Sequence, residues 1–220
     1  AAGEGQRLRP FTVTKPKAML SIADKPILQY VVEALAQNGI RNIVLVVGYK
    51  KEQVFDYMGL GERFGVNITY VSQEQQLGTA HALVQARTVA ENEFLFLSGD
   101  RLIEADTIAR FVKVKPEAAL VMRVADSSRY GIVTIDNGMI KQVFEDPAKT
   151  KSNLVTTGIY AFTDETFKFF EAELNILDAL NSMIAQGYSI SAVETGGTQL
   201  DVIYPWDMLS PNDAILRRVQ

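Results

Sequence analysis

Apolar positions along the first hundred residues alternate between short continuous runs and stretches with helical spacing. Strands are predicted at two buried runs and one alternating run: residues 40–47, 94–97 and 66–71. Helices are predicted where apolar residues recur every three or four positions: residues 26–38 (ended by Gly39), 78–89 and 104–113. This alternation predicts a parallel sheet that is covered by helices on both faces.

The second half of the chain has a different pattern, in which strands follow one another with short turns. Strands are predicted at residues 118–124, 131–136, 139–145, 154–162, 190–194 and 201–203. Asn137 and Gly138 are typical of a tight hairpin turn. Residues 164–186 are predicted to be largely helical, and a last helix is predicted near Trp206, with Pro211 as an interruption. We therefore expect a single α/β domain, Rossmann-like, with a mixed but mostly parallel sheet.

Composition excludes several classes of protein. The 220 residues carry a formal net charge of -4, which argues against nucleic acid as a partner. The absence of cysteine excludes disulfides, thiolate metal sites and a cysteine nucleophile, and it fits a reducing cytoplasm. No apolar run approaches the roughly 20 residues that a membrane span requires. We therefore expect a cytoplasmic protein with no membrane partner.

The opening segment, GEGQRLRPFTVTKPK, combines glycines with basic residues between Gly3 and Lys17. Glycines allow backbone N–H groups to approach a ligand closely, and the cations indicate that this ligand is an anion. The spacing matches neither common phosphate loop, since Leu8 stands where G-x-G-x-x-G has its third glycine. The alternative for this segment is a solvated basic turn.

Two further polar positions follow predicted strands, where open α/β sheets bind ligands, and a third lies just before or within a short predicted strand. Gln73, in the segment SQEQQLGT, has an amide that suits reading a base edge, although an ordinary polar loop explains it equally well. Asp100, after the run FLFLSG, is a candidate magnesium ligand or a helix N-cap. Asp201 is a candidate second ligand of the same ion. The single histidine, His81, lies in a predicted helix, where packing is the expected role.

Together these segments resemble a known family, the sugar-1-phosphate nucleotidyltransferases or nucleotide-sugar pyrophosphorylases. The resemblance rests on AAGEGQRLRPFT with the later PK and KP, QEQQLGTA, GD at 99–100, YGIV at 130–133, SNLVTTGIY at 152–160 and LDVIYPWDML at 200–209. It is nearest to archaeal proteins similar to bifunctional UDP-N-acetylglucosamine pyrophosphorylases, which continue into a left-handed β-helix. Residues 1–220 would then be the nucleotidyltransferase domain without its first strand and without that β-helix.

The resemblance implies a reaction and a set of site residues. A sugar 1-phosphate attacks the α-phosphorus of UTP or dTTP, and pyrophosphate leaves. The implied nucleotide-side residues are Ala2, Gly3 and Gly5 around the triphosphate, Arg7 and Lys17 as catalytic cations, Gln73, Gly78 and Thr79 at the base, and Asp100 and Asp201 on Mg²⁺. The implied sugar-side residues are Gly131, Glu145 and Thr156. A homo-oligomer is left open by three apolar residues near the end: Ile215, Leu216 and Val219.

Four segments depart from the family pattern, and all four belong to the sugar half. Asp146 replaces the lysine of E-K-P, Thr156 replaces an asparagine, Asn175 and Leu177 replace acidic or hydroxyl residues, and Gln199 replaces a tryptophan. An anion at position 146 would repel a sugar phosphate. Two readings follow: an active enzyme with an altered sugar pocket or a lysine supplied from elsewhere, and a weakened domain that binds nucleotide or nucleotide sugar in a regulatory or assembly role.

Overall fold

The computed structural model describes residues 1–196 and 200–219, with side chains described at 1–196 and 202–217. The chain forms two compact units. The first unit contains Ala1–Gln76, Ser98–Ala109 and residues 200–219, and the second contains Leu77–Leu97 and residues 110–196. Gln199, one of the departures noted above, lies outside the described residues.

The described elements are as follows. The strands are β1 Ser21–Ile22, β2 Lys25–Pro26, β3 Asn42–Val47, β4 Asn67–Ser72, β5 Glu93–Leu97, β6 Arg101–Leu102, β7 Ala118–Arg123, β8 Ile132–Asp136, β9 Met139–Phe144, β10 Leu154–Thr163, β11 Ser191–Glu194 and β12 Leu200–Asp201. The helices are α1 Ile27–Gln37, α2 Lys51–Met58, α3 Thr79–Gln85, α4 Ala105–Phe111, α5 Phe167–Ala172, α6 Ile176–Ala185 and α7 Leu209–Val219. No described helix has the length and apolar character needed to span a membrane.

The first unit joins three small strand pairs to helix α1. Strands β3 and β4 are parallel, whereas β1 pairs with β2, and β6 with β12, in antiparallel fashion. One apolar cluster joins the opening segment, β1, α1, β6 and the residue after β12: Leu8, Leu20, Ile22, Ile27, Leu102 and Val202. Leu8, at 1% exposure, anchors the opening segment in this core. That packing role explains why a leucine stands where a phosphate loop of the G-x-G-x-x-G type has glycine.

The second unit is built on a six-stranded sheet of order β5-β10-β7-β11-β9-β8. Strand β10 lies between β5 and β7 and is buried along nearly its whole length, as expected for a strand that is covered on both faces. Its register with β7 shifts between Thr156 and Tyr160, where Gly158 has φ of 77°. Such a bulge bends the strand and turns the side chains beside it.

The prediction of a mixed sheet is confirmed, but the prediction that it is mostly parallel is wrong for the described strands. In the six-stranded sheet only β7 and β11 run parallel, and the other neighbours are antiparallel. Strand β5, which the strand–helix alternation placed in a parallel array, pairs antiparallel with β10. Hydrophobic periodicity identifies a strand but says nothing about the direction of its partner. The parallel direction was inferred only from the alternation of strands and helices along the chain, and that inference was wrong.

Helix boundaries also differ from the sequence predictions. The segment predicted to be largely helical, 164–186, contains two helices, because Asn175 starts α6 by accepting the N–H of Leu177 at 3.1 Å. Helix α2 was not predicted, since only Val54 and Met58 of its largely polar sequence are buried. Pro211 lies in the first turn of α7, where its missing N–H costs nothing, so it does not interrupt the helix.

The hairpin predicted at Asn137–Gly138 is confirmed, with φ of 49° and 77° between β8 and β9. Of the C-terminal apolar residues, Ile215 packs against the core of the first unit, while Leu216 is 54% exposed. The side chain of Val219 lies outside the described residues. A homo-oligomer therefore stays a prediction that rests on Leu216.

Candidate active site

The opening segment folds back on itself around Gly5. The backbone carbonyl of Gly5 accepts hydrogen bonds from the N–H of Leu8 at 2.9 Å and from the hydroxyl of Thr12 at 2.8 Å. Gly5 has φ of 65°, and a Cβ atom there would lie 3.0 Å from side-chain carbons of both Lys17 and Thr12. Only glycine fits this conformation and this space without strain. The turn therefore brings the start of the segment against Lys17.

The two predicted catalytic cations have different surroundings. Arg7 is exposed in a 3-10 turn, and its guanidinium makes no hydrogen bond or ion pair with any residue whose side chain the structure describes. Lys17 is only 18% exposed and donates to Asp100 at 2.6 Å. Arg7 is therefore placed for an incoming anion, whereas Lys17 is neutralised by a carboxylate.

The ion pair fixes the charge state of Asp100. Burial by itself would raise the pKa of its carboxyl, but Lys17 and then Arg101 outweigh burial, and the pKa lies below its usual value. The carboxylate, at 35% exposure, is therefore ionised at neutral pH. An ionised oxygen donor of this kind is what Mg²⁺ requires.

Asp201, the second predicted metal ligand, comes near Asp100 through the backbone. Strand β12 pairs with β6 so that Asp201 lies opposite Arg101, the residue after Asp100. The side chain of Asp201 is outside the described residues. Among the described side chains there is no group of three or more histidines, cysteines or acidic residues able to hold a metal. A metal site shared by Asp100 and Asp201 therefore stays a prediction.

Three backbone segments of the first unit converge at Gly48, which follows β3. A Cβ atom there would lie 2.9 Å from the carbonyl oxygens of Ala2 and Gln73 and 2.7 Å from the amide nitrogen of Gln76. The Ala2 carbonyl also accepts the N–H of Tyr49 at 3.0 Å. Gly48 was not among the predicted site residues, although a glycine directly after a predicted strand was a usable signal. It sets how closely the opening segment approaches the base-side loop.

Gln73, the predicted base-reading residue, is buried at 2% exposure. Its backbone carbonyl accepts the side-chain amide of Gln76 at 3.0 Å, and its side chain has a partner within the protein. Gly3, by contrast, is exposed, and a Cβ atom there would meet nothing within 4 Å. The described neighbours therefore do not require glycine at position 3.

In the second unit, Gly78 and Thr79 attach the start of α3 to the turn before α6. A Cβ atom on Gly78 would lie 2.1 Å from the carbonyl oxygen of Leu174, which accepts the N–H of Ala80 at 3.0 Å. The hydroxyl of Thr79 accepts the N–H of Ile176 at 3.0 Å. These contacts give the G-T pair a structural role, and its implied role at the base stays a prediction.

Two of the three predicted sugar-side residues lie at the start of α6, and the third contacts one of them. A Cβ atom on Gly131 would lie 2.8 Å from both terminal methyl groups of Leu177 and 3.2 Å from the hydroxyl of Thr156. Thr156, buried at 4% exposure, donates its N–H to the carbonyl of Gly131 at 2.8 Å. Glu145 accepts a hydrogen bond from the side-chain amide of Asn175. The start of α6 thus lies next to Gly131 and Glu145, and Thr156 is linked to it through Gly131.

Asp146 has a local partner that the sequence did not reveal. Its carboxylate accepts the N–H of Ala148 at 2.9 Å and caps the 3-10 turn Pro147–Lys149. The residue is exposed. The prediction that this side chain faces the sugar phosphate stays untested, and its cap role must be separated from its charge in any experiment.

The structure thus brings the predicted residues together in two groups, one in each unit. The nucleotide-side group of the first unit is Ala2, Gly3, Gly5, Arg7, Lys17, Gln73 and Asp100, with Asp201 placed by its backbone. The sugar-side group of the second unit is Gly131, Glu145 and Thr156, and it shares the α6 turn with Gly78 and Thr79.

Comparison with known proteins identifies the family of this chain. Residues 1–206 match the family described as Nucleotidyl transferase. The chain is 38% identical to the UTP–glucose-1-phosphate uridylyltransferase AglF of Haloferax volcanii, over 94% of this chain and 90% of that protein. It is 35% identical to the bifunctional protein GlmU of Methanococcus maripaludis, over 99% of this chain but only 54% of that protein. The chain therefore spans about half the length of the GlmU relatives.

Solved structures agree with this comparison. A putative glucose-1-phosphate thymidylyltransferase from Bacillus anthracis superimposes with a TM-score of 0.88 at 27% identity, covering 100% of this chain and 94% of that chain. A UDP-glucose pyrophosphorylase complexed with UDP-glucose gives a TM-score of 0.87 at 25% identity, covering 99% and 97%. The resemblance seen in the motifs is confirmed, and the chain belongs to the nucleotidyl transferase family, as a member of the sugar-1-phosphate nucleotidyltransferases.

Proposed function

We propose that this protein transfers a nucleotidyl group from UTP or dTTP to a sugar 1-phosphate and releases pyrophosphate. UTP and glucose 1-phosphate are the first pair to test, because the Haloferax relative is named for both. A thymidylyltransferase of Streptomyces griseus, 31% identical over the whole chain, keeps dTTP as the second nucleotide. The observation that carries the proposal is the Lys17–Asp100 pair held beside the Gly5 turn, and Arg7 follows Gly5 by two positions.

In this reaction an oxygen of the sugar phosphate attacks the α-phosphorus, and the bond from that phosphorus to pyrophosphate breaks. Such a transfer needs positioning and charge neutralisation, and no nucleophile from the protein. Arg7, exposed and unpaired among the described side chains, would hold the entering phosphates. Lys17 would keep its proton and donate hydrogen bonds to the α-phosphate and the leaving pyrophosphate.

Asp100 fits a magnesium ligand, because its carboxylate is ionised and keeps 35% exposure. Asp201 is proposed as the second ligand on the strength of its backbone pairing beside Asp100. Bound Mg²⁺ supplies charge neutralisation on the phosphates. With Mg²⁺ held by Asp100, the ammonium of Lys17 would be available to pair with a substrate phosphate instead of Asp100.

The second candidate function is a weakened domain that binds nucleotide or nucleotide sugar, and Asp146 favours it. An acidic residue stands where the family has the lysine of E-K-P, and a like charge beside a phosphate is repulsive. Two other lysines, Lys149 and Lys151, lie close in sequence and are exposed, so a cation near this position is available. The first candidate predicts turnover and the second predicts little or none, whereas both predict binding of nucleotide or nucleotide sugar.

Pyrophosphate release with UTP or dTTP, glucose 1-phosphate and Mg²⁺ tests the proposal. We expect release that requires both substrates and disappears in Asp100→Asn. Calorimetric binding of UDP-glucose without any release would favour the weakened-domain candidate. If the protein neither binds any nucleotide nor releases pyrophosphate, both candidates are refuted.

A further inference from the structure

The turn at the start of α6, residues 174–177, contacts the sugar-side residues Gly131 and Glu145, yet none of the roles assigned above uses Asn175. The side chain of Asn175 makes two hydrogen bonds at once. Its amide nitrogen donates to the carboxylate of Glu145, and its oxygen accepts the N–H of Leu177 at 3.1 Å. The residue therefore joins the start of α6 to the predicted sugar-binding carboxylate.

We propose that Asn175 is a positioning residue that fixes the orientation of Glu145 toward the acceptor sugar. This inference rests on the proposed function, because it gives Glu145 the task of accepting hydrogen bonds from sugar hydroxyls. With one carboxylate oxygen of Glu145 held by Asn175, the other is free to be directed at a hydroxyl donor.

The amide of Asn175 satisfies both contacts. The backbone N–H of Leu177 needs an acceptor, and the carboxylate of Glu145 needs a donor. One orientation of the Asn175 amide provides both, and the flipped orientation would face donor with donor and acceptor with acceptor. An acidic residue at this position could cap the helix but would repel Glu145.

The turn that carries Asn175 is itself held on both sides. The carbonyl of Leu174 accepts the N–H of Ala80 at 3.0 Å, and the N–H of Ile176 donates to the hydroxyl of Thr79 at 3.0 Å. Both contacts come from the start of α3. Asn175 thus presents its donor from a fixed backbone.

Glu145 depends on this donor for its orientation. It is exposed and directly follows β9, and within the described part of the chain Asn175 is the sole hydrogen-bond partner of its carboxylate. An exposed glutamate without a partner samples several rotamers, and binding would then have to order it. Loss of the Asn175 donor should therefore weaken sugar binding and leave nucleotide binding unchanged.

Two substitutions separate the link to Glu145 from the helix cap. Asn175→Asp keeps an oxygen that can cap the N–H of Leu177, but it supplies no donor to Glu145. Asn175→Ala removes both. We expect the KM for glucose 1-phosphate to rise about fivefold to tenfold in both variants, as for the net loss of one typical hydrogen bond. The KM for UTP should stay constant, and the melting temperature should fall only in Asn175→Ala.

A double-mutant cycle with Glu145→Gln completes the test. If Asn175 acts through Glu145, then Asn175→Ala should add little to the KM change of Glu145→Gln. Fully additive changes, or an unchanged sugar KM in Asn175→Ala, would overturn the inference. If the parent protein shows no turnover, the proposed reaction fails separately. The link is then read from UDP-glucose affinity by calorimetry, where equal affinity of parent and Asn175→Ala overturns it.

Discussion

Asp100→Asn tests the centre of the nucleotide-side group, because it removes the charge but keeps the shape of the side chain. The variant leaves the Lys17 ammonium, 18% exposed, without the carboxylate that now lies 2.6 Å away. Two unit charges about 4 Å apart attract by about 4 kcal/mol at an effective dielectric constant of about 20. Desolvation offsets part of this attraction.

The pair lies between the exposed and buried extremes, since Asp100 keeps 35% exposure. Exposed ion pairs contribute about 0–1 kcal/mol, and breaking a buried pair costs about 3–5 kcal/mol. We therefore expect Asp100→Asn to lower the free energy of unfolding by about 1–3 kcal/mol at pH 7. Magnesium-dependent pyrophosphate release should fall below detection in the same variant.

The pH dependence of the difference follows from the lowered pKa of Asp100. A carboxyl whose folded pKa lies below its unfolded value of about 3.9 stabilises the protein above that value. This stabilisation is lost as the pH falls through the folded pKa. The parent and Asp100→Asn should therefore differ at pH 7, and their stabilities should converge as the pH falls below about 4.

Urea unfolding followed by circular dichroism, between pH 3 and pH 7, measures this difference. Glu74→Gln is the matched control, since it breaks another lysine–carboxylate pair, Lys51–Glu74 at 2.9 Å, on the exposed surface. We expect no measurable change in the unfolding midpoint or in turnover for the control. Equal midpoints and equal turnover for the parent and Asp100→Asn would refute both the structural and the catalytic reasoning.

Substitutions at Gly48 and Gly131 test two close approaches, and substitutions at Asp146 test the charge and the helix cap at that position. Gly48→Ala places a methyl group within 2.9 Å of two carbonyl oxygens, so UTP affinity measured by calorimetry should fall, and unchanged affinity would contradict the packing role. Gly131→Ala meets Leu177 at 2.8 Å and should cost about 1–3 kcal/mol of stability in urea unfolding. Adding Leu177→Ala should restore most of that loss, whereas simple additivity would exclude the clash. Asp146→Lys should raise turnover more than Asp146→Asn does. Asp146→Lys should also lower the free energy of unfolding by about 1 kcal/mol, because it loses the cap on the N–H of Ala148 that asparagine keeps. Equal turnover in the parent, Asp146→Lys and Asp146→Asn would show that position 146 is misassigned.

Local sequence determined the elements whose cause lies within a few residues. The apolar runs of β3 and β5 and the helical face of α1, ended at Gly39, followed from periodicity. The Asn137–Gly138 hairpin followed from turn chemistry, because both residues tolerate positive φ. The motifs spread along the chain were enough to identify the family.

Only the tertiary structure decided which residues meet. Lys17 pairs with Asp100 across 83 positions of sequence, and Glu145 meets Asn175 across 30. Glycine is required at position 48 only because the backbone carbonyls of Ala2 and Gln73 lie close to it. A sequence pattern records which face of an element is buried, but it does not record what buries it. The antiparallel pairing of β5 with β10 and the contacts of Gly131 and Glu145 with the start of α6 arise from long-range packing, so they became visible only in the folded chain.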